Sequence, residues 1–253
     1  MLSIDLNCDL GESFGAYKMG MDEEILPLIT SANIACGFHA GDPLVMERSV
    51  ALCKVHGVRA GAHPGFPDLS GFGRRNMSLS PKEVKACVIY QVGALKAFCD
   101  RASIKLYHVK PHGALYNMAA KDYKLAEAIC QAVKEVDETL ILLALSGSEM
   151  LRAAKDYEIT YASEIFADRA YQSDGTLVPR SRKGAVIEDE EKAVSRVLRM
   201  VKEGKVKAED GKEIPLNADS VCVHGDGIKA LAFVRKIREG LAVNGIDVTG
   251  FSF

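Results

Sequence analysis

The sequence predicts an α/β protein built as an irregular barrel of about seven parallel strands. Strand-like and helix-like segments alternate seven times with no obvious linker, which means a parallel sheet with helical crossovers. No G-x-G-x-x-G follows the first strand, so an open, dinucleotide-binding sheet is disfavoured. Ionisable residues recur on one parity of the strands, and a barrel can gather such residues at one end of its lumen. A chain of 253 residues fits one large domain or two small ones. The unbroken alternation favours a single domain over 1–253, with a small hairpin insertion near 205–215.

Leu2 to Cys8 alternates apolar and polar residues, as a half-buried strand does. Gly11 and Gly15 then interrupt it, and Met21 to Ile29 can form a short helix. Ala32 to Cys36 is the second strand. Asp42-Pro43 opens the next helix, to His56, with an N-cap acid and a proline at the first helical position. Val58 to Ala62 runs into His63-Pro64-Gly65. Ser80-Pro81-Lys82-Glu83 has the spacing of a capping box, and Val84, Val88, Val92 and Leu95 continue at helical spacing. Lys105 to Val109 is a strand leading into Lys110-Pro111-His112-Gly113. Leu125, Ile129, Val133 and Val136 mark a helix, Thr139 to Leu145 a buried strand, and Ser148 to Tyr157 another helix. Ile159 to Phe166 is the sixth strand. The turn-rich segment from Ala167 to Gly184 is long for a compact domain, so it is functional or disordered. Glu188 to Val201 is helical, Asp210-Gly211 turns a hairpin, and Ser220 to Val223 is the seventh strand. Leu231, Val234 and Leu241 mark the last helix.

A formal charge of −2 leaves no basic footprint for nucleic acid. The longest aliphatic run, Leu140 to Leu145, is too short to span a membrane, and no signal peptide is expected at the first residues. Seven cysteines without CxxC spacing point to reduced thiols in a cytoplasm. Neither a P-loop nor a G-x-S-x-G elbow occurs.

Side chains alternate faces along a strand. In the first strand Leu2, Ile4, Leu6 and Cys8 form the face for the helices, which turns Asp5, Asn7 and Asp9 to the lumen. Asn33 and His39 share a parity, as do His108, Lys110 and His112, Glu164 and Asp168, and His224 and Asp226. A structural barrel would fill those positions with Val, Ile and Leu. A whole set of buried polar groups needs shared partners, because a buried charge without one costs several kcal/mol.

His39, His63 and Asp9 come from three consecutive strands and can form a site for Zn²⁺ or Mn²⁺. The same imidazoles can instead donate hydrogen bonds or act as acid and base. Lys110 can stabilise an oxyanion or bind a carboxylate or phosphate, or merely pair with Glu164 or Asp168. Asp5, Asp9, Glu12, Asp42, Glu164, Asp168 and Asp226 supply general bases in excess. Arg74, Arg75, Arg169, Arg180 and Arg182 are loop arginines suited to an anionic substrate or to solvent. Cys8, Cys36 and Cys222 read as small core residues and His56 as a helix-end charge.

Several of these segments resemble the LamB/YcsF family. They are Asn7-Cys8-Asp9-Leu10-Gly11-Glu12, Asn33 to Pro43, Gly61 to Gly65, Phe72-Gly73-Arg74-Arg75, Val109 to Asn117, Glu164 to Arg169, and Val223-His224-Gly225-Asp226. The resemblance covers nearly the whole chain and implies the first, or A-type, component of a 5-oxoprolinase. It implies an irregular seven-stranded barrel related to glycoside hydrolases and polysaccharide deacetylases. It further implies ATP-dependent opening of 5-oxoproline to L-glutamate, with ADP and phosphate as products and two partner subunits, B and C. ATP would be a co-substrate, with Mg²⁺ accompanying it or Zn²⁺ or Mn²⁺ bound in the site.

On that reading Asp9 or Glu12 is the base and Lys110 contacts oxyanion or phosphate. His39, His63, His112 and His224 are acid–base or metal groups, and Asp226 joins the catalytic set. Arg74 or Arg169 clamps the substrate carboxylate, with Asn7, Asn33, Asp42, Glu164 and Asp168 as further binding candidates. The alternatives are a stand-alone metal-dependent amidohydrolase or deacetylase, and a non-catalytic ligand-binding subunit.

Overall fold

Parallel strands β1 (Leu2–Leu10), β2 (Ser31–Ala35), β3 (Arg59–His63), β4 (Leu106–Val109), β5 (Ile141–Leu145) and β6 (Tyr161–Phe166) pair in chain order in a computed structural model that describes residues 2–223 and 228–251. An antiparallel pair, β7 (Lys205–Lys207) and β8 (Glu213–Pro215), precedes β9 (Ser220–Val223). β9 pairs with β6 on one side and with Asp5 to Cys8 of β1 on the other, which closes a seven-stranded barrel. β10 (Ile246–Val248) pairs with Leu2 to Ile4. Outside lie α1 (Asp22–Ile25), α2 (Pro43–His56), α3 (Pro81–Ala102), α4 (Gly113–Ala119), α5 (Tyr123–Val136), α6 (Glu149–Asp156), α7 (Glu190–Glu203) and α8 (Ile228–Val243). Among the described residues no helix is long and apolar enough to cross a membrane.

The helix starts follow their sequence signals. Asp42 accepts from the Leu44 and Val45 amides to cap α2, and Ser80 with Glu83 forms the capping box of α3. Three elements depart from expectation, namely the segment Met21 to Ile29, the helix α4 and the strand β10. The segment Met21 to Ile29 is a single α-turn followed by a 3-10 turn over Leu26–Leu28, because Pro27 has no N–H to continue the α-helix. The short helix α4 and the three-residue strand β10 gave no periodic signal. The segment after Phe166 is ordered: Arg169 bridges to Val186 and Tyr171 to Leu177, and the Tyr171 hydroxyl accepts from the Phe166 amide.

Ile4, Leu6, Cys8 and Leu10 of β1 are buried in the main apolar core, whereas Leu2 at the strand start is exposed. The lumen face carries a polar ladder. At its base the Asp5 carboxylate accepts from the hydroxyls of Ser31 (2.6 Å) and Thr30 (2.7 Å) and bonds Ser220. Asn7 Nδ2 donates to Ser220 Oγ at 2.7 Å, and Asn33 Nδ2 donates to Asn7 Oδ1 at 2.8 Å. His108 Nε2 donates to Asn33 Oδ1 at 2.7 Å. Below Glu164 on the β5–β6 side a small apolar cluster forms: Phe251 packs on Leu143 and Ala162, and its ring meets His108 edge-on at 5.6 Å.

Gly61 is the floor on which His108 rests. A Cβ there would lie 2.0 Å from His108 Nε2, and the β3–β4 register shifts at this residue. Gly61→Ala should therefore expel the imidazole from its bond to Asn33 and cost about 1–3 kcal/mol or more, read as a lowered thermal midpoint. An unchanged midpoint would show that the lumen repacks freely.

Burial raises the Asp5 carboxyl from 3.8 to about 6, against the opposing hydrogen bonds of Ser220, Ser31 and Thr30. The folded state thus holds this proton to a higher pH than the unfolded chain does. Its contribution to stability is complete below about 3.8 and gone above about 6. Urea unfolding of Asp5→Asn should lose the corresponding fall, on the order of 3 kcal/mol, across that window. Identical pH slopes in variant and parent would refute it.

Candidate active site

The carboxyl ends of the strands open into a cavity of about 600 Å³. Asp9 and Glu12 line it from β1 and the loop beyond, His63 from the end of β3, and Lys110 and His112 from the loop after β4. Arg74, Arg169 and Arg180 reach it from the loops, the last two from the ordered segment that follows β6.

Lys110 stands at the centre of the floor. Its ammonium donates to Asp9 Oδ1 at 2.8 Å and to Asn7 Oδ1 at 3.3 Å. Glu164 Oε1 lies 2.9 Å away, an ion contact without hydrogen-bond alignment, and Tyr116 donates to Glu164 Oε2 at 2.6 Å. Burial alone would push the Lys110 pKa down, but Asp9 foremost, with Glu164, holds it well above the ordinary lysine value. The ammonium is therefore charged at neutral pH. Cys222 Sγ sits 3.2 Å from Lys110 Nζ, and burial raises its thiol well above the usual range, so it stays protonated.

Beside this pair three imidazoles pack together. His39 and His112 stack with ring centroids 3.6 Å apart, and His63 stands edge-on to both. Gly73 makes room for them: its φ is +62°, and a Cβ would lie 2.7 Å from His39 Cβ. The loop carrying Gly65 is held from behind by Gln91 of α3, whose amide exchanges two 2.9 Å bonds with the Gly65 backbone. Burial, reinforced by the neighbouring imidazoles, pushes the His39 pKa well below 6.5 and that of His112 down to about 3. Both rings are neutral. Glu12, His39, His63 and His112 form the one group of potential metal donors among the described residues, each offering an atom within 4.8 Å of the others. Asp9, expected with His39 and His63, is outside that group; its Oδ1 is bound by Lys110 and by Asn33 Nδ2 at 2.8 Å, and its Oδ2 lies 3.3 Å from His63 Nε2.

The remaining candidates divide by position. Asn7, Asn33 and Glu164 are fully buried beneath the cavity and do not line it. They hold Asp9 and Lys110. Asp42 does not line it either: its carboxylate takes the α2 amides and the Gly15 amide. Asp168 is buried outside the lining, and its carbonyl accepts from the Ile187 amide. Arg169 donates to the carbonyls of Val178 (2.6 Å) and Ala185 (3.4 Å), and burial lowers its pKa to about 10. Arg74 lies over the Phe72 ring at 5.0 Å. Arg75 is bound to Asp68 and Arg182 to Glu209. His224 and Asp226 lie outside the described residues. Sequence reasoning passed over Tyr116 and Phe166, which line the cavity, and over Gln91. Cys222, expected in the core, is fully buried within it, and its Sγ also touches Lys110.

The chain is a closed β/α barrel with acids, imidazoles and a lysine at the carboxyl ends of its strands, the end at which such barrels carry their active sites. The model of the LamB/YcsF family matches residues 4–253, and the chain belongs to that family. A protein of Clostridium beijerinckii, named as the A component of 5-oxoprolinase, is 62% identical over 248 residues, 98% of this chain and 97% of its own. One of Bacillus subtilis with the same name is 58% identical over 252 residues, 100% of this chain and 98% of its own. The crystal structure of a lactam utilization protein from Thermus thermophilus superposes with a TM-score of 0.93 at 50% identity, covering 99% of this chain and 100% of that one.

Removing the Lys110 charge leaves two carboxylates facing one another in the floor. Lys110→Met should cost about 3–5 kcal/mol of stability, and adding Glu164→Gln should recover part of it. Strict additivity of the two losses in denaturant unfolding would contradict the pairing.

Proposed function

We propose that this chain is the component of an ATP-dependent 5-oxoprolinase in which the lactam ring of 5-oxoproline is opened to L-glutamate, with two further subunits, B and C, contributing to activation by ATP. The observation that carries the reading is the Asp9–Lys110 pair at the floor of an arginine-rimmed cavity, in a chain so similar to proteins named as the A component of 5-oxoprolinase. That those relatives are named as one lettered subunit of a larger enzyme supports a multi-subunit assembly. Seven cysteines without a disulfide support a reducing, cytoplasmic setting.

A five-membered lactam is a stable amide, and its carbonyl carbon needs activation. The carbonyl oxygen attacks the γ-phosphorus of ATP, and ADP leaves. Water adds to the activated carbon and gives up a proton. The carbon–nitrogen bond then breaks, its electron pair stays on nitrogen, and nitrogen takes up a proton. That leaves an acyl phosphate, which a second water cleaves to glutamate and phosphate. Lys110 neutralises charge on the lactam or phosphoryl oxygen. Asp9, whose Oδ2 is turned to His63 at 3.3 Å, is placed to take the proton from water. Arg74 and Arg180 on the rim face the anionic end of the substrate.

Reconstituted with its partners, the chain should form glutamate from 5-oxoproline only when ATP is supplied. Asp9→Asn should lower kcat by about 100-fold or more while the protein stays folded by circular dichroism. Amide hydrolysis by the isolated chain without nucleotide would favour the stand-alone hydrolase instead. Full turnover by Asp9→Asn would reject the assignment of the base.

A further inference from the structure

Backbone carbonyls fix the orientation of two of the three clustered imidazole rings. The His63 Nδ1 donates to the Lys110 carbonyl at 2.7 Å, which turns Nε2 into the cluster, 3.3 Å from Asp9 Oδ2. The His112 Nε2 donates to the Phe72 carbonyl at 2.8 Å, which turns Nδ1 into the cluster. His63 Nε2 and His112 Nδ1 face each other at 3.0 Å. Glu12 Oε1, another acceptor, lies 3.7 Å from His112 Nδ1 and 3.3 Å from His39 Nε2. His39 is almost wholly buried, and its Nδ1 has no hydrogen-bond partner. One ligand atom from each of these four buried residues thus lies within 4.8 Å of the others.

We infer that Glu12, His39, His63 and His112 form a binding site for one divalent transition-metal ion of the zinc class. A cation among the four would be held by Glu12 Oε1, by His63 Nε2, by His112 Nδ1 and by the His39 ring. Three of the six ligand–ligand separations, 3.0, 3.3 and 3.7 Å, bracket the edge of about 3.4 Å that two ligands subtend on a tetrahedral ion with bonds of about 2.1 Å, and all six lie within 4.8 Å. The carbonyls on His63 and His112 are the outer partners that orient metal-binding histidines. Three imidazoles and one carboxylate suit Zn²⁺, Co²⁺ or Mn²⁺, whereas Mg²⁺ and Ca²⁺ prefer oxygen throughout. Glu12, His63 and His112 line the cavity, so the ion sits in its wall beside Asp9. The site stands independently of the oxoprolinase reading, because binding is read without turnover.

The test uses the full chain, stripped with a chelator and titrated near neutral pH with Zn²⁺ by calorimetry and with Co²⁺ by visible absorption. One equivalent should bind, and Zn²⁺ should raise the unfolding midpoint. His39→Gln and His112→Gln should each weaken Zn²⁺ binding by about 100-fold or more. Cys87→Ala, at the one cysteine that is not buried, should bind as the parent does, which separates the site from adventitious binding by an accessible thiol. Failure of the parent to bind Zn²⁺ or Co²⁺ would overturn the inference. Equal binding by both histidine variants would overturn it too. Should either variant fail to fold, the parent's own stoichiometry and its Co²⁺ spectrum, which reports nitrogen and oxygen rather than sulfur ligands, decide the matter.

Discussion

A buried ammonium tolerates only a narrow set of surroundings, and Lys110 imposes that set on the barrel. It draws Asp9 from β1 and Glu164 from β6 to within 3 Å of one atom. Neither carboxylate can leave without stranding a charge in a medium that solvates it poorly. The amide ladder of Asn7, Asn33 and His108 below the pair then has one workable orientation, since each donor already has its acceptor. The floor is rigid because its hydrogen bonds form one connected chain across the lumen.

The same economy separates groups that hold from groups that face the cavity. Asp9 does both: Oδ1 is bound into the ladder and Oδ2 turns to His63. Glu164 and Tyr116 lean on Lys110 from the far side. The rim arginines are braced differently. Arg169 is spent largely on carbonyls of the segment after β6, so it helps shape that segment, while Arg74 rests on an aromatic face.

Much of this was legible in the sequence because strands have a fixed side-chain period. The alternation of Asp5, Asn7 and Asp9 with Ile4, Leu6 and Cys8 needed no coordinates, and neither did the lumen position of Lys110. The limits have physical causes. β2 ends at Ala35, so the path to His39 runs through a turn that parity does not govern, and its stacking on His112 was out of reach. Glu12 lies beyond the end of β1 for the same reason. Asp42 carried a strong capping signal, and the cap accounts for its carboxylate. Gln91 lies on a helix face, where nothing local marks it as the support of a distant loop.

The closure of the barrel also bears on how the chain is made. β1 is hydrogen-bonded to β2 along one edge, but its other edge belongs to β9 and β10, more than two hundred positions later. A nascent chain emerging from the ribosome therefore carries an unpaired parallel edge until nearly all of it has appeared. The acids on that strand are hydrated throughout the wait. Charged side chains blunt an exposed strand edge, and Asp5 and Asp9 put two carboxylates on this one.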